Sequence, residues 1–254
     1  MSPGGGPRCA EREVGLDAGW CPWQTRPMTT RVLLVRHGAT VLSAEDRFAG
    51  ATNVELSDEG RAQAAGLARR LAHEEIAAFY ASPLDRTMET ARIIAAPHHA
   101  EVVPDPGLLE INHGVWEGKT RAEAETTHPE MYVRWEADPY NFAPDGGESG
   151  LAVTARAMPA LLRLVGSHAG QTLCVVSHKA TIRLLLSAIL GFDPRRYRDH
   201  LDLSPASLSI LDFRSPAEGR LTLYNDVAHY APAGLAIPPV PGGRLSKVWG
   251  LKAG

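Results

Sequence analysis

Three shortages remove whole classes of protein before any motif is read. Cysteine is scarce, with three in 254 residues. Cys9 and Cys21 lie in an irregular leader and Cys174 in an apolar segment, so neither a disulfide framework nor a zinc-ligand spacing emerges. This usage fits a reduced, cytoplasmic protein. Basic excess is missing too: the formal net charge is −3, against a general nucleic-acid binder. No apolar run approaches the roughly 20 residues needed to span a bilayer, so a membrane partner is not expected either. The chain has no internal repeat.

What is present is an ordinary globular composition over a length that suits one large α/β domain. Met1–Pro27 is Gly- and Pro-rich and has no apolar core of the kind a secretory signal needs. It reads as a disordered leader or the product of an upstream start codon, with Met28 as a natural beginning. The domain is expected over residues 28–230. Beyond it, residues 231–254 carry Pro232, Pro238, Pro239 and Pro241, a composition that predicts an extended tail.

The chain is organised around Leu33–Thr40. Arg31–Val35 is apolar without alternation, which predicts a parallel strand buried on both faces. It delivers Arg36, His37 and Gly38 at its carboxyl end, where ligands of open α/β sheets sit. Thr172–Ser177 repeats this design and ends in His178. As parallel neighbours, the two strands would bring both histidines together.

Between them the spacing predicts a helix capped by Ser57, with Ala64, Leu67, Ala68 and Leu71 on one face. A short strand, Ala77–Ala81, runs into a helix whose cap is read as Ser82 and whose first turn takes Pro83, so that Arg86 sits near its start. Glu101–Val103 is a weak third strand. Leu109–Gly150 is irregular and aromatic, with Trp116, Tyr132, Trp135, Tyr140 and Phe142. It reads either as a lid-like insertion over residues 110–150 or as a satellite packing cluster. Helical period returns at Val153, Ala157, Ala160, Leu161 and Leu164, with Pro159 expected to kink or interrupt it. A further helix, with Ile182, Leu185, Leu186 and Ile189 on one face, follows His178. Ser207–Phe213 and Arg220–Tyr224 form an edge hairpin, which leaves a homodimer through that edge open.

Arg36, His37, Arg86 and His178 therefore fall at strand ends. Two guanidiniums and two imidazoles suit a tetrahedral dianion, and the helix after His178 adds backbone donors. Histidine is also a competent nucleophile. The economical chemistry is phosphoryl transfer to a histidine in two steps, with a loop carboxyl, best Glu110, protonating the leaving alkoxide. His98-His99 lacks further ligands for a metal site, and Met88 and Met158 read as core fillers. His113 and Lys179 stand near the motifs and either select an anionic or hydroxylated substrate or only point to solvent, the favoured reading.

Four ordered segments carry a family resemblance. They are Leu33-Leu-Val-Arg36-His37-Gly38-Ala-Thr40, Ala81-Ser82-Pro83-Leu84-Asp-Arg86-Thr87-Met-Glu89-Thr90-Ala91, Leu109-Glu110-Ile-Asn-His-Gly114-Val-Trp116-Glu117-Gly118 and Val176-Ser177-His178-Lys-Ala-Thr-Ile-Arg183. Together they resemble the histidine phosphatase superfamily, in its phosphoglycerate mutase-like branch, over roughly Arg31 to Tyr224. The resemblance implies a three-layer α/β/α sandwich with a mostly parallel sheet. It implies His37 as the phosphorylated nucleophile, Arg36 and Arg86 as phosphate ligands, Glu110 as proton donor and His178 as the second pocket histidine. Ser43, Thr52 and Asn53 fall where the family's loop nears the phosphate, and no metal or organic cofactor is implied.

Two departures bear on the reaction. Mutases typically have asparagine at the position of Ser43 and serine at that of Ala49, and the stretch between His113 and Gly146 lacks their longer basic insertion. Both favour hydrolysis of a small phosphate ester, such as a sugar phosphate or phosphoglycerate, over mutation. A phosphoglycerate mutase and a non-catalytic phosphate-binding protein are the alternatives.

Overall fold

Residues 29–44 and 47–231 are described by a computed structural model of the chain, with the side chains of Ser43 and Ala44 outside that description. Six strands make one sheet: β1 (Thr30–Arg36), β2 (Ala78–Ala81), β3 (Val102–Pro104), β4 (Thr172–Ser177), β5 (Leu208–Ser215) and β6 (Glu218–Asp226). Their order is β3-β2-β4-β1-β5-β6. The first four run parallel, while β5 and β6 close one side as an antiparallel hairpin. This is the expected mostly parallel α/β sheet.

Among the described residues the α-helices are α1 (Val41–Ala44), α2 (Asp58–Leu71), α3 (Asp85–Ala95), α4 (Arg121–Thr127), α5 (Pro129–Ala137), α6 (Gly150–Ser167), α7 (Lys179–Leu190) and α8 (Tyr197–His200). The layers explain why β1 and β4 are apolar without a break. Side chains alternate across a strand. Val32, Leu34, Leu173 and Val175 therefore turn to the face covered by Leu161 and Leu164 of α6 and Ile182 and Leu185 of α7. Leu33, Val35, Cys174 and Val176 turn to the opposite face, against Leu67 of α2 and Ala91 and Ile94 of α3. A strand sandwiched in this way has no solvent side on which to place polar residues.

Local chemistry sets the helix ends. Ser57 Oγ accepts the Gly60 N–H at 3.1 Å at the start of α2, as its sequence predicts. Ser82 does not cap α3. That helix starts at Asp85, with Leu84 at the cap position, and the Asp85 N–H donates to Asn53 Oδ1 at 2.8 Å. Nor does Pro159 break α6, which is continuous through it. Pro159 and Ala155, the residue whose carbonyl loses its bonding partner, both face solvent. Water can therefore satisfy that carbonyl while Ala157, Ala160 and Leu161 hold the buried face.

In the 109–150 excursion, Trp116, Tyr132 and Trp135 pack with Phe48 as a small core of their own. Tyr140 instead joins Ile111, Val153, Leu184 and Tyr197. The packing-cluster reading describes these side chains, and the same layer walls the cavity discussed below. The leader and the residues after 231 lie outside the described residues.

Candidate active site

The parallel register of β1 and β4 sets Arg36 opposite Ser177, and the His37 N–H donates to the Ser177 carbonyl at 3.0 Å. One residue beyond, the rings of His37 and His178 meet edge to face, centroids 5.2 Å apart. The end of β2 joins them: Ser82 is fully buried, and its Oγ lies 2.8 Å from His178 Nε2. Ser82 thus serves the histidine rather than the helix.

The hydrogen bonds fix the tautomer of His37. Its Nδ1 is 2.7 Å from the Gly38 carbonyl, and a carbonyl oxygen only accepts, so Nδ1 bears the proton. Burial, reinforced by Arg36 and Arg86, holds the ring well below the usual histidine pKa. The ring is neutral, and Nε2 keeps an unprotonated lone pair. His178 is likewise held neutral, by burial first and then by Arg86, His37 and Arg36. The Ser82 hydroxyl engages Nε2, and Nδ1 is buried without a protein partner.

The two arginines are anchored by backbone. Arg36 Nη1 donates to the Leu203 carbonyl at 2.6 Å, and burial, with Arg183 nearby, lowers its pKa to about 10. Arg86 donates to the carbonyls of Thr52 and Gly50, each at 2.7 Å. Those carbonyls are held in turn by Glu117, whose carboxylate accepts the Ala51 N–H at 2.7 Å and the Thr52 hydroxyl. Gly50 has φ +44°, and a Cβ there would meet Glu117 Oε1, so only glycine lets this carboxylate reach the loop. The Nε atoms of Arg36, Arg86 and Arg183 are buried with no protein partner. These are three orphaned guanidinium donors, and His178 Nδ1 is unpartnered beside them, a costly arrangement when buried.

Glu110 lies at the amino end of α7. Its Oε1 accepts from the N–H groups of Ile111 and Thr181 and from the Thr181 hydroxyl, while Oε2 accepts from the Ala180 N–H alone. Oε2 is therefore the oxygen with capacity to spare. A cavity of about 800 Å³ is lined by Arg36, His37, Arg86 and Glu110. Its described wall carries seven cationic side chains against three carboxylates, although the whole chain is net acidic.

Three expectations change here. Lys179 and His113 line this cavity instead of simply pointing away. Burial, together with Arg183 and Arg36, lowers Lys179 to about 8. Burial, together with Arg121 and Arg198, lowers His113 to about 3. Asn53 is exposed and committed to the Asp85 N–H, so it is not brought to the cavity. Ser43 falls in α1, and its side chain lies outside the described residues. Arg121 and Arg198 on the wall carried no local signal, because only packing brings α4 and α8 beside Trp135. Among the described residues no cluster of His, Cys, Asp and Glu could hold a metal ion.

The profile of the histidine phosphatase superfamily, branch 1, matches residues 32–227. The chain belongs to this family. Histidine phosphatase superfamily relatives include a bifunctional protein of Mycobacterium tuberculosis, 38% identical over 85% of this chain and 59% of its own length. The chain thus spans about three fifths of the first curated relatives it matches. Phosphoserine phosphatase 1 of Hydrogenobacter thermophilus is 35% identical over 66% of this chain and 79% of its own. Among solved superfamily structures, Bacillus stearothermophilus YhfR superposes with a TM-score of 0.74 at 30% identity, covering 79% of this chain and 98% of that one. Mycobacterial glucosyl-3-phosphoglycerate phosphatase gives a TM-score of 0.71 at 28% identity, over 78% and 99%.

Proposed function

We propose that this domain hydrolyses phosphate monoesters of a small metabolite through a phosphohistidine at His37. The observation that carries this reading is a neutral imidazole with an open Nε2 lone pair beside buried donors that lack protein partners. Relatives named for phosphoserine, glucosyl-3-phosphoglycerate and 2-carboxy-D-arabinitol-1-phosphate support a small ester as substrate.

The phosphoryl group binds with its oxygens toward Arg36, Arg86 and His178 Nδ1. His37 Nε2 attacks phosphorus and the P–O bond to the alcohol breaks. Glu110 Oε2 gives its proton to the departing alkoxide. In the second half, water attacks the phosphohistidine, the Glu110 carboxylate takes the water's proton, and inorganic phosphate leaves with His37 restored. The fixed guanidiniums act on the equatorial charge of both transition states without reorganising.

The test is a panel of phosphorylated metabolites assayed for free phosphate, with phosphoglycerate interconversion followed in parallel. Phosphate release by the wild type and none by His37→Ala, with unfolding unchanged, is the expected result. In the same panel Glu110→Gln should slow alkyl esters far more than aryl phosphates, whose leaving groups need no proton. Retained turnover in His37→Ala would end the covalent scheme, and interconversion with little free phosphate would make the enzyme a mutase.

A further inference from the structure

Arg36 and His37 rest on the turn that leads from α8 into β5. Arg36 Nη1 donates to the Leu203 carbonyl at 2.6 Å, the Arg36 backbone N–H donates to the Ser207 carbonyl at 3.3 Å, and the His37 carbonyl accepts the Ala206 N–H at 3.0 Å. The turn is not relaxed. Buried Ala206 has φ +49°, a left-handed conformation that alanine enters at a cost. Such a conformation persists only where the surroundings enforce it. Here the enforcement comes from the sheet edge. The Ser204 N–H donates to Asn225 Oδ1 at 2.7 Å, the Tyr224 hydroxyl donates to the Asp202 carbonyl, and the Tyr230 hydroxyl donates to the Pro205 carbonyl at 2.7 Å. Leu203, whose carbonyl fixes the guanidinium, thus lies between two residues tied to β6.

Asn225 is the centre of this clamp. It too is left-handed, at φ +50°, a region asparagine visits more readily than most residues. Its own N–H donates to Ser209 Oγ at 3.1 Å, which fixes it against β5. Tyr224, Asn225 and Tyr230 do not line the cavity, so they act on a bound ester only through what they hold. Among the described residues the Leu203 carbonyl is the one hydrogen-bond partner of the Arg36 guanidinium, whose Nε has none. We infer that Asn225, with Tyr230 beside it, is a positioning residue for Arg36. Through Ser204 it fixes the Leu203 carbonyl, and with it the direction in which the guanidinium meets phosphate. This rests on the phosphoryl-binding role given to Arg36 above.

The experiment does not depend on turnover. The full chain and its Asn225→Gly, Asn225→Asp and Tyr230→Phe variants are titrated calorimetrically with inorganic phosphate. Arginine Nε–H signals are followed by heteronuclear NMR, that of Arg36 being assigned by its loss in Arg36→Lys. Glycine keeps the left-handed backbone and drops the acceptor; aspartate keeps both. Asn225→Gly should weaken phosphate binding about tenfold and shift or broaden the Arg36 signal, while Asn225→Asp stays within about threefold of the wild type. Tyr230→Phe, which loses one hydroxyl, should give a smaller loss in the same direction, and it decides the matter if Asn225→Gly does not fold. Unchanged affinity in either folded variant would overturn the assignment. So would a loss with the Arg36 signal unmoved, a loss that aspartate does not recover, a wild-type Arg36 signal already averaged by free motion, or a wild type that binds no phosphate. Failure of the phosphatase reading shows separately, as phosphate bound by the wild type but none released from any ester of the panel.

Discussion

Ser82 and His178 are 96 residues apart in sequence and joined by a buried 2.8 Å hydrogen bond at the strand ends beside His37. That bond engages Nε2 and leaves Nδ1 without a protein partner. Ser82→Ala removes the partner that holds the His178 ring and leaves Nε2 buried and unpaired. The expected cost is about 1–3 kcal/mol in urea unfolding and roughly a tenfold or greater fall in kcat. Unchanged kcat in a folded variant would show that His178 needs no such orientation.

Glu117 does not line the cavity, yet it holds the loop on which Arg86 rests. It is a positioning residue. Glu117→Ala should raise KM for every phosphate ester by about tenfold, with a smaller change in kcat, because a displaced guanidinium weakens anion binding throughout. Glu117→Gln, which keeps an acceptor and the shape, should recover most of the affinity. A loss in kcat alone, or no recovery with glutamine, would remove Glu117 from this role.

Acid should unfold the protein early, for reasons built into the cavity. A buried neutral imidazole binds its proton less tightly when folded than when unfolded. Stability is therefore complete above about pH 6.5 and is lost as pH falls toward the folded value. For His113 that window runs from 6.5 to about 3, and His37 and His178 are shifted in the same direction. Each contributes at most about 1.4 kcal/mol per pH unit inside its window. His113→Phe keeps a ring against Phe48 and Trp135 but has nothing to protonate. Its urea midpoint should fall less steeply than the wild type's between pH 6.5 and 4; parallel curves would contradict the assignment.

Several parts of the site were legible because they are written in contiguous segments. An unbroken apolar run ending in Arg36-His37, and another ending in His178, announce buried parallel strands and place polar groups at their mouths. Ser57 announces its helix in the same way. Pro159 misled because propensity counts a missing N–H without knowing that the orphaned carbonyl of Ala155 faces water. Ser82 misled because a serine before a proline and a helix looks like a cap, while the contact that claims it comes from a strand far along the chain. Asn53, expected near the phosphate, supplied the cap instead.

The sequence by itself determined the strands and the helices that flank them, the family and the set of groups able to handle phosphate, whereas α4 and α5 fall in a stretch it left irregular. Side-chain period and strand-end chemistry are local properties, and the four motifs are each a few residues long. Only the tertiary structure decided how those groups are poised: the tautomer of His37, the Ser82 partner of His178, the free oxygen of Glu110, the loop that Glu117 ties to Arg86, and the turn of Lys179 toward the cavity. The physical reason is that burial, charge pairing and hydrogen-bond direction depend on neighbours tens of residues away, and those neighbours exist only once the sheet has brought its strand ends together.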